Sequence, residues 1–166
     1  MNLILCGMMG AGKTSVGKEV AKALGWRWYD TDQLIVERHG NVTEIFAKHG
    51  ETYFRQLETE IVKELVQADC MVLSVGGGLV LREENVSLLR KNGQIVFLCA
   101  SVETLEKRLQ LDSSRPLLQT EESLRERLQR LLKERTPIYE AVADFTVNVD
   151  GKTLEEIAAE IVSQIR

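Results

Sequence analysis

Apolar runs of strand length alternate with stretches of helical period along the chain. Leu3–Cys6, Trp26–Asp30, Cys70–Val75, Ile95–Cys99 and Phe145–Val149 predict five strands. The third and fourth are almost continuously apolar, as strands are in a sheet covered on both faces. After the first, Val16, Val20, Ala21 and Leu24 fall at helical spacing and Gly25 supplies a stop. Further helices are predicted at Leu34–Arg38, Thr43–His49, Glu51–Gln67, Glu83–Lys91, Val102–Gln110, Glu121–Arg135 and Thr153–Ile165. The alternation argues an α/β fold, a five-stranded parallel sheet flanked by helices with right-handed crossovers. In such sheets ligands sit beyond the carboxyl ends of the strands.

The first strand end carries the strongest chemistry. Gly7-Met8-Met9-Gly10-Ala11-Gly12-Lys13-Thr14 satisfies G-x-x-x-x-G-K-[ST] between an apolar run and a helical pattern. Glycines let successive N–H groups turn around an anion, Lys13 reaches the β- and γ-phosphates, and the Thr14 hydroxyl ligates Mg²⁺. The helix that follows points its positive end at the same phosphates. Gly10, Ala11, Gly12, Lys13, Thr14 and Ser15 are therefore the expected contacts of a nucleotide's phosphates.

Composition narrows the partner. A length of 166 residues with 44% hydrophobic content fits one domain, residues 1–166, with a sizeable core. A net charge of −4 leaves no footprint for nucleic acid, so a small molecule is expected. Cys6, Cys70 and Cys99 match no zinc or C-x-x-C spacing and read as buried free thiols of a reducing compartment. No run approaches the roughly 18 apolar residues of a membrane span, and no basic-then-apolar leader opens the chain. The expectation is a cytoplasmic monomer that binds neither membrane nor nucleic acid.

The other strand ends supply the rest of the candidate site. Asp30-Thr31-Asp32 follows the second strand, where a helix N-cap is one reading. The third strand, however, runs into Gly76-Gly77-Gly78 with no acid of its own, so Asp30 is the nearest candidate to help hold the metal. Asp32 is then available to accept the proton of an attacking hydroxyl. The three glycines are either a flexible turn or a place where backbone approaches a ligand, and the second reading explains their entropic cost. Arg55 and Glu58, at i and i+3, form either an ordinary surface pair or a device aiming Arg55 at an anionic group. Arg115, beside Pro116 in the segment Leu111–Thr120, is a solvated loop residue or an arginine that closes over the phosphates. Arg135 precedes Thr136-Pro137 and is expected in the last turn of a helix that the proline ends, where the dipole favours a cation. His39 and His49 precede glycines at helix ends and are assigned no chemistry.

Together these motifs closely resemble the shikimate kinase family. The P-loop, Asp30-Thr31-Asp32, Gly50-Glu51 with Phe54-Arg55-Gln56-Leu57-Glu58, Gly76-Gly77-Gly78, Arg115-Pro116-Leu117 and Glu134-Arg135-Thr136-Pro137-Ile138-Tyr139 match it in order and spacing over essentially the whole chain. The resemblance implies a nucleoside-monophosphate-kinase-like P-loop fold, an acceptor-binding region near residues 31–60 and a lid near 110–122. It implies ATP and shikimate as substrates, with Mg²⁺. It assigns Thr14 and Asp30 to the metal, and Asp32 to the acceptor hydroxyls, either as base or as a positioning group. Arg55 and Arg135 fall to the carboxylate, Gly76–Gly78 to backbone contact, Arg115 to the phosphates and Arg108 to adenine. The loop Asp150–Leu154 lacks the proline some members place on the other adenine face, so Leu154 or the loop backbone substitutes. A gluconate or nucleotide kinase of the same fold is the nearest alternative. A GTP switch would need Asp-x-x-Gly and Asn-Lys-x-Asp, which do not occur.

Overall fold

The computed structural model describes residues 1–111 and 122–165. Strands β1 (Asn2–Cys6), β2 (Arg27–Asp30), β3 (Met71–Ser74), β4 (Gly93–Cys99) and β5 (Phe145–Asn148) form one parallel sheet in the order β2-β3-β1-β4-β5. β1 and β3 are buried along their whole length, which is why their sequences are apolar rather than alternating. β2, at the sheet edge, is only half-buried and its sequence is correspondingly mixed. The chain leaves β1 toward β2 and later crosses from β3 to β4, so the change of direction falls beside β1. The crevice at such a point is where an α/β sheet takes its ligand.

Helices α1 (Lys13–Leu24), α2 (Thr31–His39), α3 (Val42–Leu65), α4 (Glu83–Arg90), α5 (Val102–Leu111), α6 (Leu124–Val142) and α7 (Leu154–Gln164) flank the sheet, with a 3₁₀ turn at Leu79–Leu81. α1 buries the expected stripe of Val16, Val20 and Ala21 and stops at Gly25. α3 covers two of the predicted helices and breaks between them at Gly50, whose φ of 82° suits glycine. α2 starts three residues earlier than its apolar pattern because Asp30 Oδ1 accepts the Gln33 N–H at 3.0 Å, a cap worth about 1 kcal/mol.

α6 corrects the expectation for Arg135. The helix does not end at Pro137 but runs through it to Val142. Proline deletes one N–H and crowds the preceding turn. Tyr139 compensates from within the core: it is fully buried, donates Oη to the Gly77 carbonyl at 2.6 Å and sets its ring 5.1 Å from that of Phe97. Arg135 therefore lies about two turns from the helix end, beyond the reach of a terminal dipole. The cysteines differ too: Cys6 is buried, but Cys99 is half-buried and Cys70 exposed. Cys70 sits at φ 57°, its N–H donating to the Met1 carbonyl, so its backbone is anchored while its side chain faces out.

Candidate active site

The loop after β1 leads into α1 at Gly12, whose φ of 94° excludes most side chains. No side chain caps α1, whereas Asp30, Ser123 and Thr153 cap α2, α6 and α7. Its first N–H groups are in the state that an anion-binding helix start requires. Lys13 Nζ donates to the Gly7 carbonyl at 2.6 Å, and Thr14 and Ser15 are exposed in the first turn. Arg108 of α5 donates to the Gly10 carbonyl at 3.3 Å. A Cβ on Gly12 would lie 2.7 Å from Arg108 Nη1, so the loop and this arginine pack closely.

Across from the loop, Thr14 Oγ1 donates to Asp30 Oδ2 at 2.8 Å while Asp30 Oδ1 caps α2. Asp30 thus serves as cap and as an oxygen beside Thr14 at once. A hydroxyl and one carboxylate are hard donors that fit Mg²⁺, which keeps several waters and phosphate oxygens rather than a protein cage. Among the described residues no cluster of three or more His, Cys, Asp or Glu is placed to hold a metal. Where an acid is missing from the end of β3 stands Ser74. Its Oγ donates to the Lys13 carbonyl at 2.6 Å and accepts from Trp28 Nε1 at 3.0 Å, fastening the first residue of α1 to the sheet. Sequence reasoning passed over both Ser74 and Trp28, since the lack of an acid after β3 pointed to Asp30 instead.

The three glycines beyond Ser74 gather side chains from three helices. A Cβ on Gly76 would lie 2.7 Å from Asp32 Oδ1, one on Gly77 3.2 Å from Arg135 Nη1, and one on Gly78 2.5 Å from Nη1 and Nη2 of Arg55. Two guanidinium groups distant in sequence therefore meet at adjacent residues, with a carboxylate beside them. Close approach, not flexibility, accounts for the glycine run.

Arg55 is held rather than loose. Its Nη1 donates to Glu58 Oε1 at 2.7 Å, and Nη2 lies 3.5 Å from Glu51. Glu58 is 1% exposed, which excludes an ordinary surface pair. Burial pushes its carboxyl above the usual range and the neighbouring Asp32 charge adds to this, against the hydrogen bond and charge of Arg55 and the charge of Arg135. Among the described residues Glu58 Oε2 has no hydrogen-bond partner. Behind the pair, Arg82 Nη1 donates to the Arg55 carbonyl at 3.2 Å and to Thr59 Oγ1 at 2.9 Å, and Asn85 Nδ2 donates to the Leu79 carbonyl. This partly buried network ties the α3 turn carrying Arg55 to the segment following Gly78. Burial also raises the Tyr139 phenol, keeping it a donor to Gly77.

A cleft of about 530 Å³ joins Lys13, Thr14 and Asp30 to Asp32, Arg55 and Arg135, with Gly76–Gly78 in its wall. Val42, Phe46 and Phe54 give it an apolar side, and Arg127 of α6, not foreseen from sequence, also lines it. Arg108 reaches the P-loop instead, and Leu154 packs half-buried against the core at the start of α7. Arg115 and most of the expected lid lie outside the described residues.

A phosphate-binding loop opening into a cleft with a carboxylate and paired arginines defines a P-loop kinase of a small, anionic, hydroxyl-bearing acceptor. The shikimate kinase family model matches residues 9–166. A shikimate kinase from Thermodesulfovibrio yellowstonii is 44% identical over 164 residues, spanning 98% of this chain and 94% of the relative. The structure of a shikimate kinase from Acinetobacter baumannii in complex with shikimate superposes with a TM-score of 0.90 at 37% identity, covering 98% of this chain and 90% of that one. A gluconokinase from Sinorhizobium meliloti, 18% identical with a TM-score of 0.59 over 98% of this chain and 89% of that one, shares the fold alone. This chain belongs to the shikimate kinase family.

Proposed function

We infer that the chain transfers the γ-phosphate of ATP to the 3-hydroxyl of shikimate, giving shikimate 3-phosphate and ADP on the route to chorismate and the aromatic amino acids. The observation that carries this reading is the meeting of Arg55 and Arg135 at Gly78 and Gly77. Planar guanidinium groups suit a carboxylate, and shikimate is a carboxylate-bearing polyol. Asp32 of the same cleft holds the acceptor hydroxyl and takes its proton as transfer proceeds. The loose transition state of phosphoryl transfer asks mainly for positioning and countercharge. Gly10, Ala11, Gly12, Lys13 and Ser15 hold the phosphates, and the helix dipole of α1 adds to them.

Thr14 and Asp30 hold Mg²⁺, which when bound neutralises charge on the β- and γ-phosphates. Arg108 takes one face of adenine, Leu154 or the loop backbone the other, and Arg115 acts at the phosphates. Residues 31–60 form the acceptor-binding region. Free cysteines suit a reducing cytoplasm, and a monomer suffices because one chain supplies every assigned residue. A coupled ADP-release assay with shikimate, gluconate and nucleoside monophosphates in parallel tests the reading. Turnover is expected with shikimate only; comparable turnover of gluconate would overturn it.

A further inference from the structure

Arg127, Leu131, Arg135 and Tyr139 recur every four residues in α6 and so share one face of the helix. Leu131 and Tyr139 are buried, which turns that face inward, and Arg127 lines the same cleft as Arg135 while remaining half-buried. Glu122, whose carboxyl feels the Arg127 charge, makes a two-point pair with Arg130 at 3.0 and 2.9 Å. Eight residues at helical rise separate Arg127 from Arg135 by about 12 Å along the axis. Both side chains lean the same way, so their heads keep a similar spacing. A six-membered ring with an anionic group on either side, hydrogen-bonded at each end, spans a comparable length.

The charges lining the cleft point the same way. Lys13, Arg55 and Arg135 are balanced by Asp30, Asp32 and Glu58, and Arg127 is a further cation. The acceptor brings one carboxylate, for which Arg55 and Arg135 already provide. Its product carries that carboxylate and a phosphate besides, and the phosphate needs a countercharge of its own on the acceptor side.

We propose that Arg127 contacts the phosphate on the newly esterified oxygen and sets how tightly the phosphorylated product is held. This rests on the shikimate reading above. Arg127→Gln, which keeps much of the volume and loses the charge, is compared with wild type by calorimetric titration of shikimate and of shikimate 3-phosphate. The product's Kd is expected to rise about tenfold or more, the loss of one charge-assisted contact, while the Kd for shikimate stays within about twofold. Arg127→Lys should fall between the two, which also covers a Gln variant that fails to fold. An unchanged product Kd, or equal weakening of both ligands, overturns the proposal. Absence of shikimate turnover by the wild type in the same preparation would instead overturn the function.

Discussion

Gly78→Ala should displace Arg55 without altering it. Gly78 sits at φ −96°, ψ −5°, which alanine adopts without backbone strain. The added methyl would lie 2.5 Å from Nη1 and Nη2 of Arg55 and 2.6 Å from Cζ, far inside the contact distance of about 3.5–4.0 Å. The end of a flexible side chain yields before backbone does, so the guanidinium is what moves. The contact proposed for it with the substrate carboxylate would be worth about 1.5–3 kcal/mol, and about 1.4 kcal/mol corresponds to a factor of ten. The KM for shikimate should therefore rise roughly ten- to a hundredfold, with the KM for ATP nearly unchanged. Gly77→Ala, whose Cβ would lie 3.2 Å from Arg135 Nη1, should show a smaller effect. Steady-state kinetics with each substrate varied at saturation of the other gives both constants, and a thermal melt confirms the fold. A folded Gly78→Ala enzyme with wild-type KM for shikimate would refute the claim that Arg55 grips the substrate.

Asp32→Asn keeps the shape of the acid and should lower kcat by roughly a hundred- to ten-thousandfold if Asp32 is a working base. A loss confined to KM would make it a positioning residue, and unchanged kinetics would refute both roles. Glu58 has a pKa raised chiefly by burial, so the folded state binds its proton more readily than the unfolded chain does. Its contribution to stability is full below the ordinary glutamate pKa and is lost as pH rises through the raised one. The stability of wild type relative to Glu58→Gln, from urea unfolding between about pH 4 and 8, should thus increase as pH falls; parallel pH profiles would contradict the burial argument.

The P-loop and most helices were legible because local identity and local structure coincide there. Gly12 and Gly50 sit where positive φ is needed, and α1 buries the stripe its period predicts. The capping role of Asp30 was legible, since a cap requires only a short polar side chain at the end of β2, whereas its bond from Thr14 joins two elements and was not. What escaped depends on contacts distant in sequence. Pro137 signals a helix end, and contacts distant in sequence carry α6 past it, among them the Tyr139–Gly77 bond, the ring of Phe97 and the Arg90 bond to the Val142 carbonyl. The Trp28–Ser74–Lys13 chain joins three elements, so no spacing rule within one of them shows it. Arg127 gains its meaning from the face it shares with Arg135, and that face became visible once α6 was seen to continue unbroken. The roles proposed for Arg55 and Arg135 came from family resemblance; charge and position alone left Arg55 equally readable as half of a surface pair, and Arg135 only as a helix-end cation.

The most direct test of the central claim compares shikimate with its methyl ester, which keeps the reacting hydroxyl and loses the negative charge. With two arginines converging on the carboxylate, kcat/KM for the ester should fall at least about tenfold below that for the acid. Arg55→Lys and Arg135→Lys, which lose the planar fork, should each narrow that gap by weakening the acid. An ester phosphorylated as efficiently as the acid by the wild type would contradict the carboxylate clamp and, with it, the assignment of this cleft to shikimate.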